Sequence, residues 1–457
     1  MGHNNTNPIV KRIAVKAYCE FASPALIGSG SGENTDQDVL RDNNGAAFLP
    51  GSAIAGVLRS FASDTAALFG KRDPGPKGGQ TADKISPLWV FDAALKDSEG
   101  NPAKIVELDG VRIDRETKLA MDAKKYDYEA IETGTRFTLR FLLTLREKDG
   151  EQVYETLLKQ LIGALKSGGI AFGAKTRRGF GLARCTRAVQ REFVLTPGNI
   201  TALDAWLHFD WEMGKKTSEG WKPAEEEAFS GGMAAMTAQL KLMGSIMIRD
   251  VRNVYDDVSD DNKVPDYRHI SSDGRPVILG TAWAGAFRSG LWRLLHQTYP
   301  DKAEKYLDDV FGYGYEPEER RKAVSTSSKV AFGVSFLQAA DQRADGYRCM
   351  YRVTIDRFTG GAVNGALFME TPWYGGETAL TVRYPKERED IRELLLLGFD
   401  ALHKGIIQIG GEAAVGRGFF RVIQISDQNG DLSAGGAKPA LKTALESMDT
   451  AKAGETA

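Results

Sequence analysis

The chain has 457 residues, a length that predicts two to four domains because one domain usually holds about 100 to 200 residues. Hydrophobic residues make up 42% and charged residues 26%, which excludes a chain that is disordered as a whole. The 59 basic and 61 acidic residues give a net charge of −2, which excludes a uniformly basic nucleic-acid binder but leaves local basic patches possible.

The cysteines and the apolar runs indicate the compartment. Cys19, Cys185 and Cys349 are each more than 160 residues from the next, a spacing that fits neither a disulfide framework nor a zinc site. The N-terminal residues lack the apolar core of a signal peptide, and no apolar run approaches the roughly 18 residues of a membrane span. We therefore expect a soluble, cytoplasmic protein with reduced cysteines and no membrane partner.

The first half predicts two helices and four strands in the order β-α-β-β-α-β. Alternating apolar residues indicate a first strand with one buried face, formed by Val15, Ala17, Cys19 and Phe21. Helical spacing predicts a helix from Gly51 to Gly70. Residues 135–145 alternate as a strand, and 151–169 form an amphipathic pattern that ends in glycines. This order is that of the ferredoxin-like frame, which RNA-recognition modules also use.

The second half repeats the first. Residues 49–59, LPGSAIAGVLR, return as 278–288, ILGTAWAGAFR, at an offset of 229. The triplet IDR returns at an offset of 242, and glycine-rich segments starting at 168 and 404 close the two halves. Because the matches keep one order while their offsets drift slowly, we interpret them as a tandem duplication.

The duplication divides the chain into two domains and two connecting segments. We predict domains at 10–190 and 233–427, a linker or insertion at 191–232, and a mobile tail at 428–457. The second copy is longer after its GTAWAG motif, where residues 290–312 predict one extended helix.

Two features of each copy could bind an anion. The first is the glycine-rich loop, where backbone N–H groups lie beside Lys175, Arg177 and Arg178. The second is the helix start at Gly51 and Ser52, whose free N–H groups attract negative charge. Alternatively, the glycines only make a tight turn, and an arginine near the helix forms an ordinary surface salt bridge.

Motifs for small-molecule catalysis are missing from the sequence. No phosphate-binding P-loop, dinucleotide fingerprint or serine nucleophile elbow is present, and the five histidines do not have zinc-site spacing. The acidic loop before the first helix contains Asp36, Asp38 and Asp42. A carboxylate beside RNA phosphates can bind Mg²⁺ or Mn²⁺, whereas the alternative is a solvated loop of Asx turns.

At LPGSAIAGVLR, IDR and FGAKTRRGFG the chain resembles the RAMP superfamily, in particular the backbone subunits of type III CRISPR effector complexes. Both halves carry the helix motif, the central IDR and the terminal glycine-rich loop that form the family pattern. The resemblance covers about 15–190 and 233–425. Two fused copies resemble the double-backbone subunit of type III-D-like complexes.

The resemblance implies an α+β fold of two tandem ferredoxin-like, RRM-like domains with glycine-rich loops and thumb hairpins. The hairpins would lie within 114–133 and 356–375 and wedge between guide and target RNA. The implied partners are the CRISPR guide RNA, the complementary target RNA and other type III subunits. The residues expected to bind the guide RNA are Gly51, Ser52, Arg59, Lys175, Arg177, Arg178, Gly280, Thr281, Arg288 and Arg417.

In target-cleaving relatives a motif D-x-x-hydrophobic-hydrophobic-[KR]-D precedes the helix, and DQDVLRD fits it from Asp36. The resemblance therefore implies that Asp36 is catalytic and binds Mg²⁺ or Mn²⁺, with Asp38 as the alternative. In the second copy the motif is degraded, and Asp266 is the expected catalytic residue. The alternatives there are Asp257, Asp260 and Asp261.

Together these features predict a metal-dependent endoribonuclease that cleaves complementary RNA by attack of a ribose 2′-OH on its own phosphate. The alternative function is a non-catalytic, structural RNA-binding subunit of the same complex. A third function is guide-RNA maturation by a histidine acid–base mechanism, for which His269 lies in a suitable loop.

Overall fold

The computed structural model describes residues 7–448 apart from 31, 33–34, 62–66, 71–84, 115–119, 213–219, 230, 251–264, 314–325, 342 and 344. The first repeat contains β1 (Ile9–Phe21), β2 (Phe48–Leu49), α1 (Gly51–Arg59), β3 (Leu88–Val90), β4 (Ala93–Ala94), β5 (Ile105–Ile113), β6 (Ala120–Ile131), β7 (Arg136–Arg146), α2 (Glu151–Lys166) and β8 (Ala183–Val194), followed by α3 (Ile200–Leu207) and β9 (Lys222–Pro223).

The second repeat contains more short strands than the first. Its elements are β10 (Met233–Met243), β11 (Ser245–Ile246), β12 (Arg249–Asp250), β13 (Tyr267–His269), β14 (Ser271–Ser272), β15 (Arg275–Ile278), α4 (Gly280–Thr298), α5 (Ala303–Phe311), β16 (Ala331–Phe332), β17 (Ser335–Phe336), β18 (Gly346–Tyr347), β19 (Met350–Ile355), β20 (Ala362–Thr371), β21 (Trp373–Tyr374), β22 (Glu377–Pro385), α6 (Glu389–His403), β23 (Phe419–Asp427), β24 (Gly430–Leu432) and α7 (Pro439–Ser447).

The main sheets of the two repeats have the same topology. In the first sheet, of order β3-β7-β1-β8-β9, the central strand β1 pairs antiparallel with β7 and β8. In the second, of order β16-β22-β10-β23-β24, β10 pairs antiparallel with β22 and β23. The strand that follows the second helix lies beside the first strand in both, as the ferredoxin-like frame requires. The predicted fold class is confirmed.

Alternating side chains build the cores as the sequence predicts. The inward face of β1 consists of Ile13, Val15, Ala17, Cys19 and Phe21, all buried. Helix α2 covers that face with leucines and isoleucine at helical spacing, namely Leu157, Leu158, Leu161, Ile162 and Leu165. In the second sheet, Met236, Ala238 and Leu240 of β10 are fully buried in one hydrophobic core with residues of α4 and α6.

The segment predicted as a linker covers the outer face of the first sheet. Five aromatic rings form a cluster there. Phe193 of β8 packs edge to face against Trp206 and Phe209. The cluster continues from Phe209 to Trp211 and from Trp211 to Trp221. The guanidinium of Arg12 lies 4.2 Å from the Trp206 ring centroid, and Lys16 Nζ lies 4.7 Å from that of Trp221. Protein side chains therefore occupy the sheet face on which RNA-recognition modules stack bases.

Two expectations were wrong. Residues 430–447 of the predicted mobile tail form β24 and α7, because Leu441 and Leu445 lie on one helical face and are buried against the core that includes α6. The extended helix predicted at 290–312 is two helices, α4 and α5. The break falls at Pro300, which cannot continue a helix ladder.

The described residues divide into two compact units that differ from the sequence repeats. The first lies within 1–106, 129–174 and 181–231, and the second within 107–128, 175–180 and 232–457. The outer part of the β5–β6 hairpin and the centre of the first glycine-rich loop therefore belong to the second unit. Sequence repetition could not indicate this division, because it aligns segments without reporting which of them pack together.

The repeated glycine at each helix start has a packing reason. A β-carbon on Gly51 would lie 2.5 Å from the Val90 carbonyl oxygen, and one on Gly280 would lie 2.3 Å from the Phe332 carbonyl oxygen. The second repeated glycine of the motif, Gly56, has no neighbouring atom within 4 Å of its ideal β-carbon position. The first glycine is thus required by a strand backbone, whereas Gly56 is not.

We predict opposite effects for alanine at these two positions of α1. Gly51→Ala should destabilise the chain by about 1–3 kcal/mol because the added carbon overlaps a backbone carbonyl. Gly56→Ala should stabilise it by about 0.5–1 kcal/mol because alanine loses less backbone entropy in a helix. Urea unfolding midpoints of the two variants test this, and equal shifts of the same sign would contradict the packing argument.

Candidate functional site

The two glycine-rich loops have the same backbone conformation. Each contains four residues with positive φ at matching positions: Gly173, Lys175, Gly179 and Gly181 in the first, and Gly410, Glu412, Gly416 and Gly418 in the second. The N–H of Phe172 donates to the Gly181 carbonyl (2.9 Å), and that of Ile409 donates to the Gly418 carbonyl (3.0 Å). The duplication therefore extends to individual backbone dihedrals.

The last glycine of each loop is explained without a ligand. A β-carbon on Gly181 would lie 1.9 Å from the Phe172 carbonyl oxygen, and one on Gly418 would lie 2.0 Å from that of Ile409. The tight-turn explanation considered for these glycines is therefore sufficient at these two positions. Lys175 and Glu412 are different, because a non-glycine residue with positive φ is uncommon and indicates strain or a functional constraint.

Lys175 points into an environment without a counter-charge. Its Nζ is buried, lies 3.1 Å from the Tyr128 ring centroid and 4.7 Å from that of Tyr126, and has no hydrogen-bond partner among the described residues. Burial, aided by the positive charge of Arg178, lowers the pKa of Lys175 to about 7. The neighbouring Arg177 and Arg178 are exposed and form no ion pair with an acid in the described part of the chain.

The second loop carries the opposite charge at the same position and neutralises it internally. Glu412 forms ion pairs with Arg417 (2.8 Å), Arg352 (2.8 Å) and Arg249 (3.4 Å). Arg417, 5% exposed, also pairs with Glu370, which is completely buried. Arg417, a predicted RNA-binding residue, is therefore part of a buried ion network.

The sequence did not reveal the tyrosines around Lys175. The first hairpin was expected to lie within 114–133 and to wedge between guide and target RNA, yet its Tyr128 is 1% exposed and its Tyr126 is half-buried. A signal was present, because a spacing of two places both rings on one face of β6. In the second hairpin the IDR motif forms the turn itself: the Asp356 carboxylate accepts hydrogen bonds from the N–H groups of Phe358 (3.0 Å) and Thr359 (2.7 Å).

The start of α1 is occupied by a protein group. The Gly51 N–H donates to the Asp92 carboxylate (2.7 Å), so an acid already lies at the start of α1. Ser52 and Arg59 are exposed on the same helix.

In the second repeat, Gly280 is buried at the start of α4 and Thr281 is half-buried. Arg288 is also half-buried; it pairs with Asp308 and donates to the Gly312 carbonyl (3.0 Å). The repeated arginine therefore has a structural role in the second copy.

The three carboxylates of the acidic loop before α1 differ in exposure and in their hydrogen bonds. Asp38 is 6% exposed and accepts hydrogen bonds from the N–H (2.9 Å) and hydroxyl (2.8 Å) of Thr35. Asp42 accepts from the N–H groups of Asn44 and Ala46 (2.8 and 2.9 Å), which is the Asx geometry considered as the alternative. Asp36 lies on an exposed bend.

Glu129 of β6 fixes this loop. Its carboxylate forms a two-point ion pair with Arg41, in which both N–O distances are 2.8 Å, and accepts from the Val39 N–H (2.8 Å). Hydrogen bonding from Arg41 lowers the pKa of Glu129. The basic residue of the DQDVLRD motif is thus an anchor that holds the loop in place.

The acidic loop could hold a metal ion only together with bound RNA. The described residues contain no group of three His, Cys, Asp or Glu side chains arranged to hold a metal. Asp36 could share Mg²⁺ or Mn²⁺ with phosphate oxygens of bound RNA, since Mg²⁺ is often held by one or two carboxylates plus substrate phosphates.

The corresponding acids of the second copy are placed differently. Asp266 is exposed, and its carboxylate accepts a hydrogen bond from the Met369 N–H (2.7 Å), so it anchors β20. Asp257, Asp260 and Asp261 lie outside the described residues. His269 is fully buried, its Nδ1 accepts from the Ile248 N–H (3.0 Å), and burial lowers its pKa to about 3, which does not suit acid–base catalysis at neutral pH.

Two ferredoxin-like folds, each closed by a glycine-rich loop, define the class of this protein. A family model described as the RAMP superfamily matches residues 18–184 and 239–421. The chain therefore belongs to the RAMP superfamily, and membership supports an RNA-binding role associated with CRISPR systems. No curated protein matches the sequence. No helix in the part of the chain that the structure describes is both long and apolar enough to cross a membrane.

We predict that the charge state of Lys175 makes stability pH-dependent. The unfolded lysine has a pKa of about 10.4, so between about pH 7 and pH 10 the unfolded chain binds a proton that the folded chain lacks. The free energy of unfolding therefore rises with pH across that window. Below about pH 7 the folded chain carries the full cost of burying the charged amine. Lys175→Met should raise the unfolding midpoint most near pH 6, and less as the pH approaches 9.

Arg177→Met is the matched control for this measurement. It removes a charge from the same loop, but arginine stays protonated across the window, so its effect should not vary with pH. The titration can also be followed directly by NMR of isotopically labelled lysine side chains. A Lys175 signal that titrates only above about pH 9.5 would refute the proposed environment.

Proposed function

We propose that this chain is a guide-RNA-binding backbone subunit of a type III CRISPR ribonucleoprotein, and that its first copy cleaves complementary RNA. The observation that carries the RNA-binding part is Lys175, a buried amine beside Arg178 with no acid to balance it among the residues that the structure describes. An RNA phosphate would supply the missing negative charge through charge-assisted hydrogen bonds. The family match in both halves supports the same assignment.

In this proposal the two copies contribute unequally to RNA binding. The first loop presents Lys175, Arg177 and Arg178, whereas the second balances Arg417 with Glu412 and Glu370. A phosphate could recruit Arg417 only by removing it from the fully buried Glu370, whose remaining ion-pair partner among the described residues is Arg352 at 3.4 Å. We therefore assign the electrostatic binding of guide RNA to the first loop.

Salt dependence tests this assignment. The double variant Arg177→Gln/Arg178→Gln should weaken binding of single-stranded RNA at every sequence. The slope of log affinity against log salt should become shallower by roughly 0.7 for each phosphate that the variant no longer neutralises. Fluorescence anisotropy of the full chain with labelled RNA, over about 50–300 mM KCl, measures the slope.

Arg288→Gln provides the matched control, because Arg288 is engaged with Asp308 and the Gly312 carbonyl. This variant should lower the unfolding midpoint, and its slope of log affinity against log salt should equal that of the wild type. If instead Arg288→Gln flattens the slope and the loop variant does not, RNA follows the helix rather than the glycine-rich loop.

For cleavage, we propose that Asp36 is the residue that binds Mg²⁺ or Mn²⁺ together with the target RNA. The ion, when bound, would stabilise negative charge that develops as the ribose 2′-OH attacks its own phosphate. Asp36 suits this role because it is exposed, while Asp38, Asp42 and the Arg41–Glu129 pair fix the loop that carries it. Those other side chains thus hold the loop in shape around the Asp36 carboxylate.

The second copy supports the alternative function, a structural RNA-binding domain. Its expected catalytic residue, Asp266, holds the backbone of Met369 in β20. A carboxylate committed to a backbone hydrogen bond is a weaker candidate for an RNA-bound metal ion. We therefore propose that cleavage belongs to the first copy and that the second copy mainly positions RNA.

Asp36→Asn should slow cleavage of a labelled complementary RNA by at least about 100-fold. This is the scale expected when one group that stabilises charge in the transition state is removed. The assay uses the chain reconstituted with its guide RNA and co-purifying partners, in Mg²⁺ or Mn²⁺. Binding of guide RNA should be unchanged, because the isosteric amide keeps the shape of the loop.

Two companion variants separate the roles of the acids. Asp38→Asn should lower the unfolding midpoint because it weakens the hydrogen bonds from Thr35, and Asp266→Asn should leave cleavage at the first-copy site intact. Wild-type complex that binds target RNA tightly but never cuts it would make both copies structural.

A further inference from the structure

Two cysteines that are distant in sequence face each other in the first sheet. Cys19 of β1 is the register partner of Cys185 of β8, and both thiols are reduced. Their exposed fractions are 4% and 7%. The third cysteine, Cys349, is exposed and separate from them. Because 166 residues separate Cys19 from Cys185, sequence spacing alone could not reveal the pair.

The strand geometry suits a bond between these sulfurs. Directly opposed residues of an antiparallel pair have β-carbons about 4.5–5.5 Å apart, and a disulfide needs about 3.5–4.5 Å. The register shifts between Tyr18 and Cys19, so Thr186 is an extra residue of a bulge, with its hydroxyl donating to the Tyr18 carbonyl (3.2 Å). To form a disulfide, the two β-carbons must move closer by roughly 1 Å. The bulge interrupts the ladder of hydrogen bonds at this point, which makes that movement easier.

The local chemistry distinguishes the two thiols. The Cys19 thiol donates to the Ala17 carbonyl (3.7 Å), and the Cys185 thiol donates to the Arg187 carbonyl (3.6 Å). The interaction between the two neighbouring thiols raises the pKa of Cys19 and lowers the pKa of Cys185. Lys166 and its ion-pair partner Glu226 (2.6 Å) act on the pKa of Cys185 in opposite directions. Cys185 is the more exposed of the two cysteines and lies on the strand nearer the sheet edge, so we expect it to react first, with Cys19 opposite it.

Access to Cys185 comes from the edge of the sheet. Strand β9 pairs with the outer edge of β8 at Val189 and Gln190 only, so no described strand pairs with that outer edge at Cys185. Local opening of this stretch exposes the thiol without disrupting the β1–β7 ladder.

We propose that Cys19 and Cys185 form a site of reversible oxidation, at which a small-molecule disulfide such as oxidised glutathione converts the two thiols to a cross-strand disulfide. The Cys185 thiolate attacks one sulfur of the oxidant, forms a mixed disulfide and releases one thiol. Cys19 then loses its proton and attacks the Cys185 sulfur, which forms the Cys19–Cys185 bond and releases the second thiol. The two cysteines lose two electrons, which reduce the oxidant to two thiols.

The position of this bond connects it to the glycine-rich loop. Cys185 follows Gly181 by four residues, and the loop end is held to the residues after β1 by hydrogen bonds. These run from the Ala22 N–H to the Leu182 carbonyl (2.7 Å) and from the Leu182 N–H to the Ser23 hydroxyl (3.0 Å). The disulfide would add a covalent tether at this end of the loop.

The test uses the folded full chain with Cys349 alkylated beforehand under native conditions. After incubation with oxidised glutathione, remaining thiols are alkylated in denaturant and the protein is digested for mass spectrometry. We expect a linked Cys19–Cys185 peptide pair, two hydrogens lighter than the separate peptides, that dithiothreitol reverses. The unfolding midpoint should rise by roughly 5 °C or more, because the crosslink restricts the unfolded chain.

Single serine variants are the matched controls. Cys19→Ser should accumulate glutathione at Cys185, as expected for an attacking thiolate without its partner, and Cys185→Ser should give neither the linked peptide nor the midpoint shift. The wild-type measurement stands by itself if either variant folds poorly. Recovery of Cys19 and Cys185 as separate alkylated or glutathionylated peptides after prolonged incubation would overturn the proposal.

Discussion

The backbone of each glycine-rich loop must turn back against the segment that leads into it from the preceding helix, and this constraint shapes both halves of the chain. At Gly181 and Gly418 the approach is so close that no side chain fits beside the carbonyl groups of Phe172 and Ile409. The turn delivers the chain into the strand that pairs with the centre of each sheet, β8 with β1 and β23 with β10. A side chain at either glycine would therefore displace a core strand as well as a surface loop.

Much of the fold could be predicted from the sequence because burial leaves periodic patterns. The alternation of Val15, Ala17 and Phe21 predicted β1 correctly, and repeated glycines identified the duplication. Charged residues were less informative. Arg288 returns in the second copy because it pairs with Asp308, so its repetition reflects internal packing as much as ligand binding. A repeated charge alone cannot distinguish these causes, since both require the same side chain at the same helical position.

The mobile tail was predicted wrongly, and the packing of the predicted linker or insertion was not foreseen, for a related reason. Composition describes average polarity, whereas packing depends on a few correctly spaced side chains. Leu441 and Leu445 bury α7 despite the surrounding alanine, glycine and lysine, and Trp206 and Trp221 attach the segment after β8 to the first sheet. A few apolar side chains are enough to order segments whose overall composition resembles that of loops, because full burial of a leucine alone contributes about 1.5–3 kcal/mol.

The charge reversal between Lys175 and Glu412 gives the two copies different capacities for ligand binding. Both residues occupy the same left-handed backbone position, but the lysine is surrounded by tyrosine rings and the glutamate by arginines. A cation held by aromatic faces is partly stabilised and needs to break no ion pair when an anion arrives. Arg417, in contrast, would have to leave the fully buried Glu370. The same loop conformation thus holds a cation without an acidic partner among the described residues in the first copy, and cations paired with internal carboxylates in the second.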